Sequence, residues 1–193
     1  MTATQIGTLL AYILVFGYTP GPANLYSLLC ALRHGRSAAL TMWWGLLAGF
    51  TIEVWSVAAL CYCLGSAVHD YIGYVRYAGA AYLLWLAWST ATCGDRPTER
   101  SGCSFKTGLV LQLTNAKMIL FNLLMFGNFG IANGANVRVF LLIGILLYIA
   151  GPGGNLAWLF GGHFLRRLYK LFPRAVDVVL GSTLAVFAVL LLF

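Results

Sequence analysis

Two ionisable side chains lie deep inside apolar stretches of this 193-residue sequence. Lys117 and Glu53 each lie near the middle of a run that is long enough to cross a membrane. A charge at that depth costs about 2.5–3.5 kcal/mol on insertion scales, so such residues usually face a cavity or each other. Two interpretations are open. Either Lys117 and Glu53 form a structural ion pair, or Lys117 contacts a substrate carboxylate while Glu53 binds an amine or a coupling proton.

A second feature is the stretch from Tyr18 to Asn24, which interrupts an apolar run with two prolines. Because Pro20 and Pro22 have no backbone N–H, the carbonyl groups of Phe16 and Tyr18 lose their helical partners. Pro22 suits the first position of a new helix, whose N–H end carries a partial positive charge. A discontinuous membrane helix is typical of a transporter binding site, and a simple proline kink is the alternative.

Further polar side chains within the apolar runs could complete a polar cavity, and they are Asn24, Gln112, Thr114, Asn115, Asn122 and Asn155. Asparagines also join membrane helices by ordinary hydrogen bonds, so none of them is decisive alone. The positions predicted to bind substrate are Phe16, Tyr18, Pro20, Gly21, Pro22, Asn24, Gln112, Asn115, Lys117 and Asn155. Glu53 is the candidate for proton coupling.

The composition indicates the class of protein that must position these side chains. Hydrophobic residues make up 61% of the chain and charged residues 9%, against about 25% charged in soluble domains. Apolar runs of this length predict an all-α integral membrane protein rather than a barrel. The net charge of +7 does not indicate nucleic-acid binding, because the basic residues fall between the apolar runs. No cleavable signal peptide is predicted.

We predict one transmembrane domain, residues 1–193, with six spans at about 5–32, 38–68, 71–92, 107–129, 137–163 and 174–193. The first span is broken at residues 19–22. Two antiparallel halves of three spans each would form a 3+3 inverted repeat. The second half should then contain its own break, and the candidates are residues 112–117 and 151–155.

The distribution of Lys and Arg predicts the orientation. Nine of these residues fall in loops on one side, and two fall on the other. By the positive-inside rule, the side with nine faces the cytoplasm and both termini face the periplasm. The nine are Arg33, Arg36, Arg96, Arg100, Lys106, Arg166, Arg167, Lys170 and Arg174, and the two are Arg76 and Arg138.

The five cysteines indicate neither a metal site nor a cofactor. Cys30, Cys61 and Cys63 lie in or near spans, where cysteine behaves as a small apolar residue. Cys93 and Cys103 bracket a loop predicted to be cytoplasmic, where thiols stay reduced. A Cys61-x-Cys63 pair with His69 is only a weak metal pattern. Nucleotide-binding and hydrolase motifs are absent, so we do not expect an enzyme.

Two glycine pairs have the GxxxG spacing that lets helices approach closely, namely Gly17/Gly21 and Gly45/Gly49. In a chain with 22 glycines we expect packing within the molecule, and a homodimer stays open.

These motifs resemble a known family. Thr19-Pro20-Gly21-Pro22, followed by Gly35, Gly45 and Gly49, resembles the signature of the lysine-exporter (LysE/RhtB) amino-acid exporters, and Asn115-Ala116-Lys117 resembles their Asn-Pro-Lys motif. The resemblance covers nearly the whole chain. Residues 78–82, 85–88 and 162–164 look most like the cysteine/O-acetylserine branch. Two departures are Ala116, where the family usually has proline, and Glu53, which matches no family motif.

The resemblance implies proton-driven efflux of amino acids or their derivatives across the bacterial inner membrane. We expect a neutral zwitterionic substrate near the membrane midplane. Lys117 and the N–H end of the helix starting at Pro22 would hold its carboxylate, and the carbonyls of Phe16 and Tyr18 would accept from its ammonium group. The expected partners are this substrate, protons and the lipid bilayer. The alternatives are a thiol–disulfide relay through Cys61 and Cys63, or a membrane interaction protein that transports nothing.

Overall fold

A computed structural model describes residues 1–19, 21–65 and 103–190, together with individual residues between 74 and 91. Every regular element in these ranges is a helix. The described residues contain two helices that are long and apolar enough to cross a membrane, His34–Leu64 and Val137–Gly161. The number rises to four if each of two sharply bent helix pairs is counted as one span.

The first bent pair contains the break that the prolines predict. Helix α1 (Ala3–Tyr18) begins with a capping box between Thr2 and Gln5. Helix α2 (Pro22–Leu64) begins with proline in its first turn, where no N–H is needed. The axis of α1 and the axis of the first part of α2, Pro22–Ala31, differ by 51°. Pro20 itself lies outside the described residues.

Helix α2 consists of two helical segments rather than two spans joined by a loop. The segments are Pro22–Ala31 and His34–Leu64, and the backbone at Gly35, at the start of the second segment, is non-helical with φ at 82°. Glycine adopts a positive φ without steric cost, so the chain changes direction here within a single residue. The second segment therefore begins at His34 instead of residue 38. Most of the predicted third span lies outside the described residues.

The second bent pair lies in the predicted fourth span and does not depend on proline. Helix α3 (Phe105–Leu113) and helix α4 (Ala116–Met125) meet at 54°. In the turn between them, the Asn115 N–H donates to the Gln112 carbonyl and the Ala116 N–H to the Thr114 carbonyl. These tight-turn bonds satisfy backbone groups that hydrocarbon would leave without a partner. The break predicted at residues 112–117 is therefore present.

The chain continues from α4 through a π-helix (Phe126–Gly130) and a 3-10 turn (Ile131–Asn133) to helix α5 (Val137–Tyr148). A second π-helix (Ile149–Gly153) joins α5 to helix α6 (Gly154–Leu171), and helix α7 (Pro173–Leu190) follows. The other predicted break, at residues 151–155, is thus a π-helical segment within a continuous span. The basic stretch after residue 163 is helical to Leu171 rather than a loop.

Close packing between α2 and α3 uses the second GxxxG pair. A methyl group on Gly45 would lie 2.8 Å from the Leu109 backbone nitrogen, and one on Gly49 would lie 2.8 Å from Gln112 Cβ. Both distances are shorter than side chains tolerate, so these glycines allow the two helices to touch. This pair therefore packs inside the molecule, as expected.

Cys30 of α2 and Cys103, just before α3, form a disulfide. The sequence analysis missed this pairing, because it treated Cys30 as a small apolar residue and Cys103 as a reduced thiol. A separation of 73 residues concealed the proximity of the two sulfur atoms. Cys61 and Cys63 are free thiols, one buried and one exposed.

Candidate functional site

A polar cavity lies where the two broken spans meet the second π-helix. The space between its lining atoms, part of it open to solvent, has a volume of about 220 Å³. Its lining combines small residues with four polar side chains, and consists of Gly17, Gly21, Ala23, Asn24, Asn115, Lys117, Met118, Ala150, Gly151 and Asn155.

Lys117 is the only charged side chain in this lining, and it is 4% exposed. Its Nζ donates to the Thr19 carbonyl at 3.0 Å and to the Thr19 hydroxyl at 2.9 Å. Both acceptors are neutral, so the ammonium group has no counter-ion at these contacts. An ammonium group has three donors, and two of them are used here. The cavity therefore presents a buried cation with the capacity to bind an anion.

The backbone at the first break is held by Asn24. The Asn24 Nδ2 donates to the Gly17 carbonyl at 2.9 Å and to the Thr19 carbonyl at 2.8 Å. Both carbonyls lie at the end of α1, where the following N–H groups no longer continue the helix. Asn24 therefore fixes the Thr19 oxygen that in turn orients Lys117.

The carbonyls of Phe16 and Tyr18 do not line the cavity, contrary to the proposed contact with a substrate ammonium group. The Phe16 carbonyl accepts from the Thr19 hydroxyl at 3.0 Å. The Tyr18 carbonyl accepts from the indole N–H of Trp158 at 3.0 Å. Removing the proline N–H groups did free these oxygens, but side chains of the protein satisfy them, as a membrane interior demands.

Two helix N-termini point into the same region of the molecule. Helix α2 begins after Gly21 and helix α4 begins after Asn115, and neither has a side-chain cap. Gly21, Asn115 and Lys117 all line the cavity. Each N-terminus carries a partial positive charge, and an anion is stabilised where they converge. The helix ends and Lys117 therefore favour the same ligand charge.

Asn115 supplies an acceptor of the opposite character. Its side-chain Oδ1 is buried and has no hydrogen-bond partner in the described part of the chain. A buried acceptor without a donor costs about 1–3 kcal/mol, so it is a favourable place for a ligand donor. A zwitterion offers both an anion for Lys117 and a donor for Asn115.

Glycine at position 21 leaves room for the lysine. A methyl group on Gly21 would lie 3.1 Å from Lys117 Cδ and 3.3 Å from Nζ. Gly17 likewise makes room for the backbone of Ala150, because a methyl group on Gly17 would lie 2.6 Å from the Ala150 carbonyl oxygen. Both glycines of the first GxxxG pair thus shape the cavity.

Glu53 forms a separate buried cluster. Its carboxylate is 5% exposed and accepts from Gln112 Nε2 at 2.8 Å and from Asn122 Nδ2 at 2.7 Å. Gln112 belongs to α3 and Asn122 to α4, so the carboxylate connects the two arms of the broken fourth span. Glu53 and Lys117 therefore do not form the ion pair that was one of the two interpretations of the sequence.

The structure brings together Gly21, Asn24, Asn115, Lys117 and Asn155 of the predicted substrate-binding set. Gln112 pairs with Glu53, and Pro22 begins α2 outside the lining. The sequence analysis missed Thr19 as the partner of Lys117 and Met118 as a lining residue. The position of Thr19 inside the proline motif was the available signal.

Comparison with known proteins adds the following. Residues 14–193 match the family model for the LysE type translocators. The chain is 30% identical over 194 residues to cysteine/O-acetylserine efflux proteins of Escherichia coli strain K12, Escherichia coli O157:H7 and Shigella sonnei strain Ss046. Each alignment covers 98% of this chain and 98% of the relative. No solved structure matches the chain significantly.

Lys117 and Glu53 have different hydrogen-bond partners, so we expect their contributions to stability to be independent. Lys117→Ala and Glu53→Ala should change thermal stability additively in a double-mutant cycle, within about 0.5 kcal/mol, because they share no contact. The control cycle is Glu53→Ala with Asn122→Ala, where direct contact predicts a coupling of about 0.5–3 kcal/mol. Thermal unfolding in detergent measures both cycles. Recovery of the stability of Lys117→Ala by Glu53→Ala would contradict the geometry.

Proposed function

This chain belongs to the LysE type translocator family, and we propose that it exports a neutral zwitterionic amino acid or a close derivative across the bacterial inner membrane. Family membership makes it a multi-pass membrane protein of amino-acid efflux and not an enzyme. The relatives named as cysteine/O-acetylserine efflux proteins suggest small substrates of that kind.

One observation carries this proposal: a buried lysine whose contacts in the described part of the chain include no counter-ion lines the cavity where two helix N-termini converge. In our proposal the substrate carboxylate binds Lys117 and the adjacent N–H groups of α2 and α4. The substrate ammonium group donates to Asn115 Oδ1, which replaces the earlier assignment to the carbonyls of Phe16 and Tyr18. Asn24 and Asn155 complete the polar wall.

For the topology, we propose one domain of six spans with both termini in the periplasm. The two bent pairs, at 51° and 54°, would be the equivalent first spans of two inverted halves. Alternating access would rock these halves about the cavity, as in transporters with broken helices at the midplane.

For the energy coupling, we propose that Glu53 is the proton site. The ionised carboxylate accepts from Gln112 and Asn122. The oxygen atoms of both amides, Gln112 Oε1 and Asn122 Oδ1, are buried and have no hydrogen-bond partner among the described residues. Rotation of either amide would present its oxygen to a protonated carboxyl group, so this cluster can serve both protonation states. Proton binding would thus change the contacts that connect the two arms of span four.

A relay through Cys61 and Cys63 is disfavoured by their surroundings. Cys61 is buried and Cys63 is exposed, and residues two apart on a helix point in different directions. Full retention of export in the Cys61→Ser, Cys63→Ser variant would eliminate the relay, and absence of flux from proteoliposomes would favour a protein that transports nothing.

The proposed orientation predicts the behaviour of reporters fused after Phe193. Alkaline phosphatase should be active there, and a fluorescent protein that folds only in the cytoplasm should be dark, because nine of the eleven Lys and Arg residues between the predicted spans or near their ends fall on the side predicted to be cytoplasmic. The reverse pair of signals would overturn the topology.

The proposed role of Lys117 predicts a binding defect without a folding defect. Lys117→Ala should insert and melt nearly normally but weaken substrate binding by at least about 30-fold, since losing one partner of a buried charge pair costs about 2 kcal/mol or more. Lys117→Arg should also be impaired, because a planar guanidinium does not replace a compact ammonium group.

The matched control for Lys117 is Lys106→Ala, an exposed lysine near the start of α3. Radiolabelled O-acetylserine and cysteine, tested for binding in detergent and for efflux from proteoliposomes, provide the readout. Normal binding by Lys117→Ala would remove the lysine from the site.

The proposed role of Glu53 predicts loss of coupling. Glu53→Gln keeps the shape of the side chain and imitates the protonated carboxyl group, with one acceptor oxygen and a donor, but cannot exchange a proton. Substrate exchange across proteoliposomes should persist, while accumulation driven by an imposed pH gradient should disappear. An uncoupler should abolish the gradient-driven flux of the unaltered protein. Full gradient-driven transport by Glu53→Gln would place the proton site elsewhere.

A further inference from the structure

Three side chains capable of sulfur or metal chemistry lie together outside the substrate cavity. The disulfide joins Cys30 to Cys103 with 5.9 Å between their Cα atoms. The imidazole Nδ1 of His34 lies 3.2 Å from Cys103 Sγ. Cys30 is 2% exposed, Cys103 is partly exposed and His34 is exposed. One sulfur is therefore accessible beside a proton acceptor, and the other is buried behind it.

We propose that Cys30 and Cys103 form a reversible, redox-responsive disulfide that holds one end of the substrate pathway closed. The effect on export rests on the proposed function, whereas formation of the bond does not.

The position of the disulfide follows from the two helix arms that it joins. The first segment of α2 starts at the cavity and reaches Cys30 after about two turns, or roughly 12 Å. Helix α3 starts just after Cys103 and runs to the break beside Asn115. Each arm thus has one end at the cavity and the other at the disulfide. The bond crosses from the proposed first half of the transporter to the second, so it would prevent these arms from separating.

The side of the membrane determines when the bond forms. In the sequence, Cys30 is close to Arg33 and Cys103 is close to Lys106, at the end that the proposed topology places in the cytoplasm. Disulfides in that compartment are usually transient and often act as redox sensors. The thiol form would then be the ordinary, transporting state, and oxidation would stop substrate from entering.

The chemistry requires an oxidant, and a low-molecular-weight disulfide is sufficient. His34 accepts the thiol proton of Cys103, and the thiolate attacks one sulfur of the small disulfide and releases one small thiolate. The Cys30 thiolate then attacks Cys103 Sγ in the mixed disulfide and releases the second. Two protein thiols are oxidised, and one small disulfide is reduced to two thiols. An excess of small thiol reverses both steps.

A zinc site is the competing explanation for the same atoms. The ligand atoms of Cys30, His34 and Cys103 lie within 4.8 Å of one another. Zinc usually takes four ligands, and both sulfur atoms are already used by the disulfide. Basic residues adjacent in sequence also disfavour a dication, so the structure favours the disulfide.

The test uses the full-length protein in proteoliposomes, treated with oxidised glutathione and then with dithiothreitol. Mass spectrometry of peptides should identify a Cys30–Cys103 crosslink after oxidation and its loss after reduction. Efflux should fall by about tenfold or more in the crosslinked protein and recover on reduction, because alternating access needs the two halves to move. Cys30→Ser and Cys103→Ser should transport like the reduced protein and resist the oxidant. Cys63→Ser, which alters an exposed free thiol, should respond like the unaltered protein.

Three outcomes would overturn the inference: no crosslink, a crosslink mapped to Cys93, or unchanged efflux in the crosslinked protein. Stoichiometric retention of Zn²⁺ by the reduced protein, lost in His34→Ala, would also overturn it in favour of a metal site. Absence of efflux from the reduced protein would instead contradict the proposed function, while the crosslink readout would stand unaffected.

Discussion

The burial of the Lys117 amino group, with no counter-ion among the residues that the structure describes, is the constraint on which the rest of the site depends. Its two acceptors both belong to Thr19, and Thr19 can offer them only because the first span is broken there. Gly21 leaves the space that the lysine occupies, and Asn24 holds the broken backbone in place. The convergent N-termini of α2 and α4 add further positive potential. In our proposal, the substrate carboxylate offsets the cost of burying this positive charge.

Lys117 and Glu53 do not pair with each other, and this leaves the lysine able to bind an anion. Had the two charges paired, they would have neutralised one another and left no reason to bind an ion. Each is instead surrounded by neutral polar groups: a hydroxyl and a carbonyl around the lysine, and two amides around the glutamate. Neutral partners reduce the cost of burial without removing the charge. In our proposal, the lysine therefore binds the substrate carboxylate and the glutamate binds the coupling proton within one small bundle.

Local rules predicted the parts of this arrangement that depend on single residues. Proline has no N–H, so the first break could be predicted, and the membrane cost of charge identified Lys117 and Glu53 as special. The second break has no proline, and only the argument from an inverted repeat pointed to residues 112–117. Contacts between residues far apart in the sequence could not be predicted. Thr19 and Lys117 are 98 residues apart, and Tyr18 and Trp158 are 140 apart. No pattern along the sequence shows which indole will satisfy which freed carbonyl, or that Cys30 will meet Cys103.

The break in span four connects the two charged clusters mechanically. Gln112 lies before the break, Asn122 lies after it, and both donate to one carboxylate, while Asn115 and Lys117 lie between them. Glu53 thus holds the two arms of the break together, and Lys117 lies in the arm that begins just after it. In our proposal, proton binding at Glu53 changes the affinity of the site for substrate. Coupling between two sites is reciprocal, so substrate binding would then change the proton affinity of Glu53 by the same free energy. A transporter that exchanges a proton for a substrate requires such a linkage, and we propose that the carboxylate joined to both sides of the break provides it.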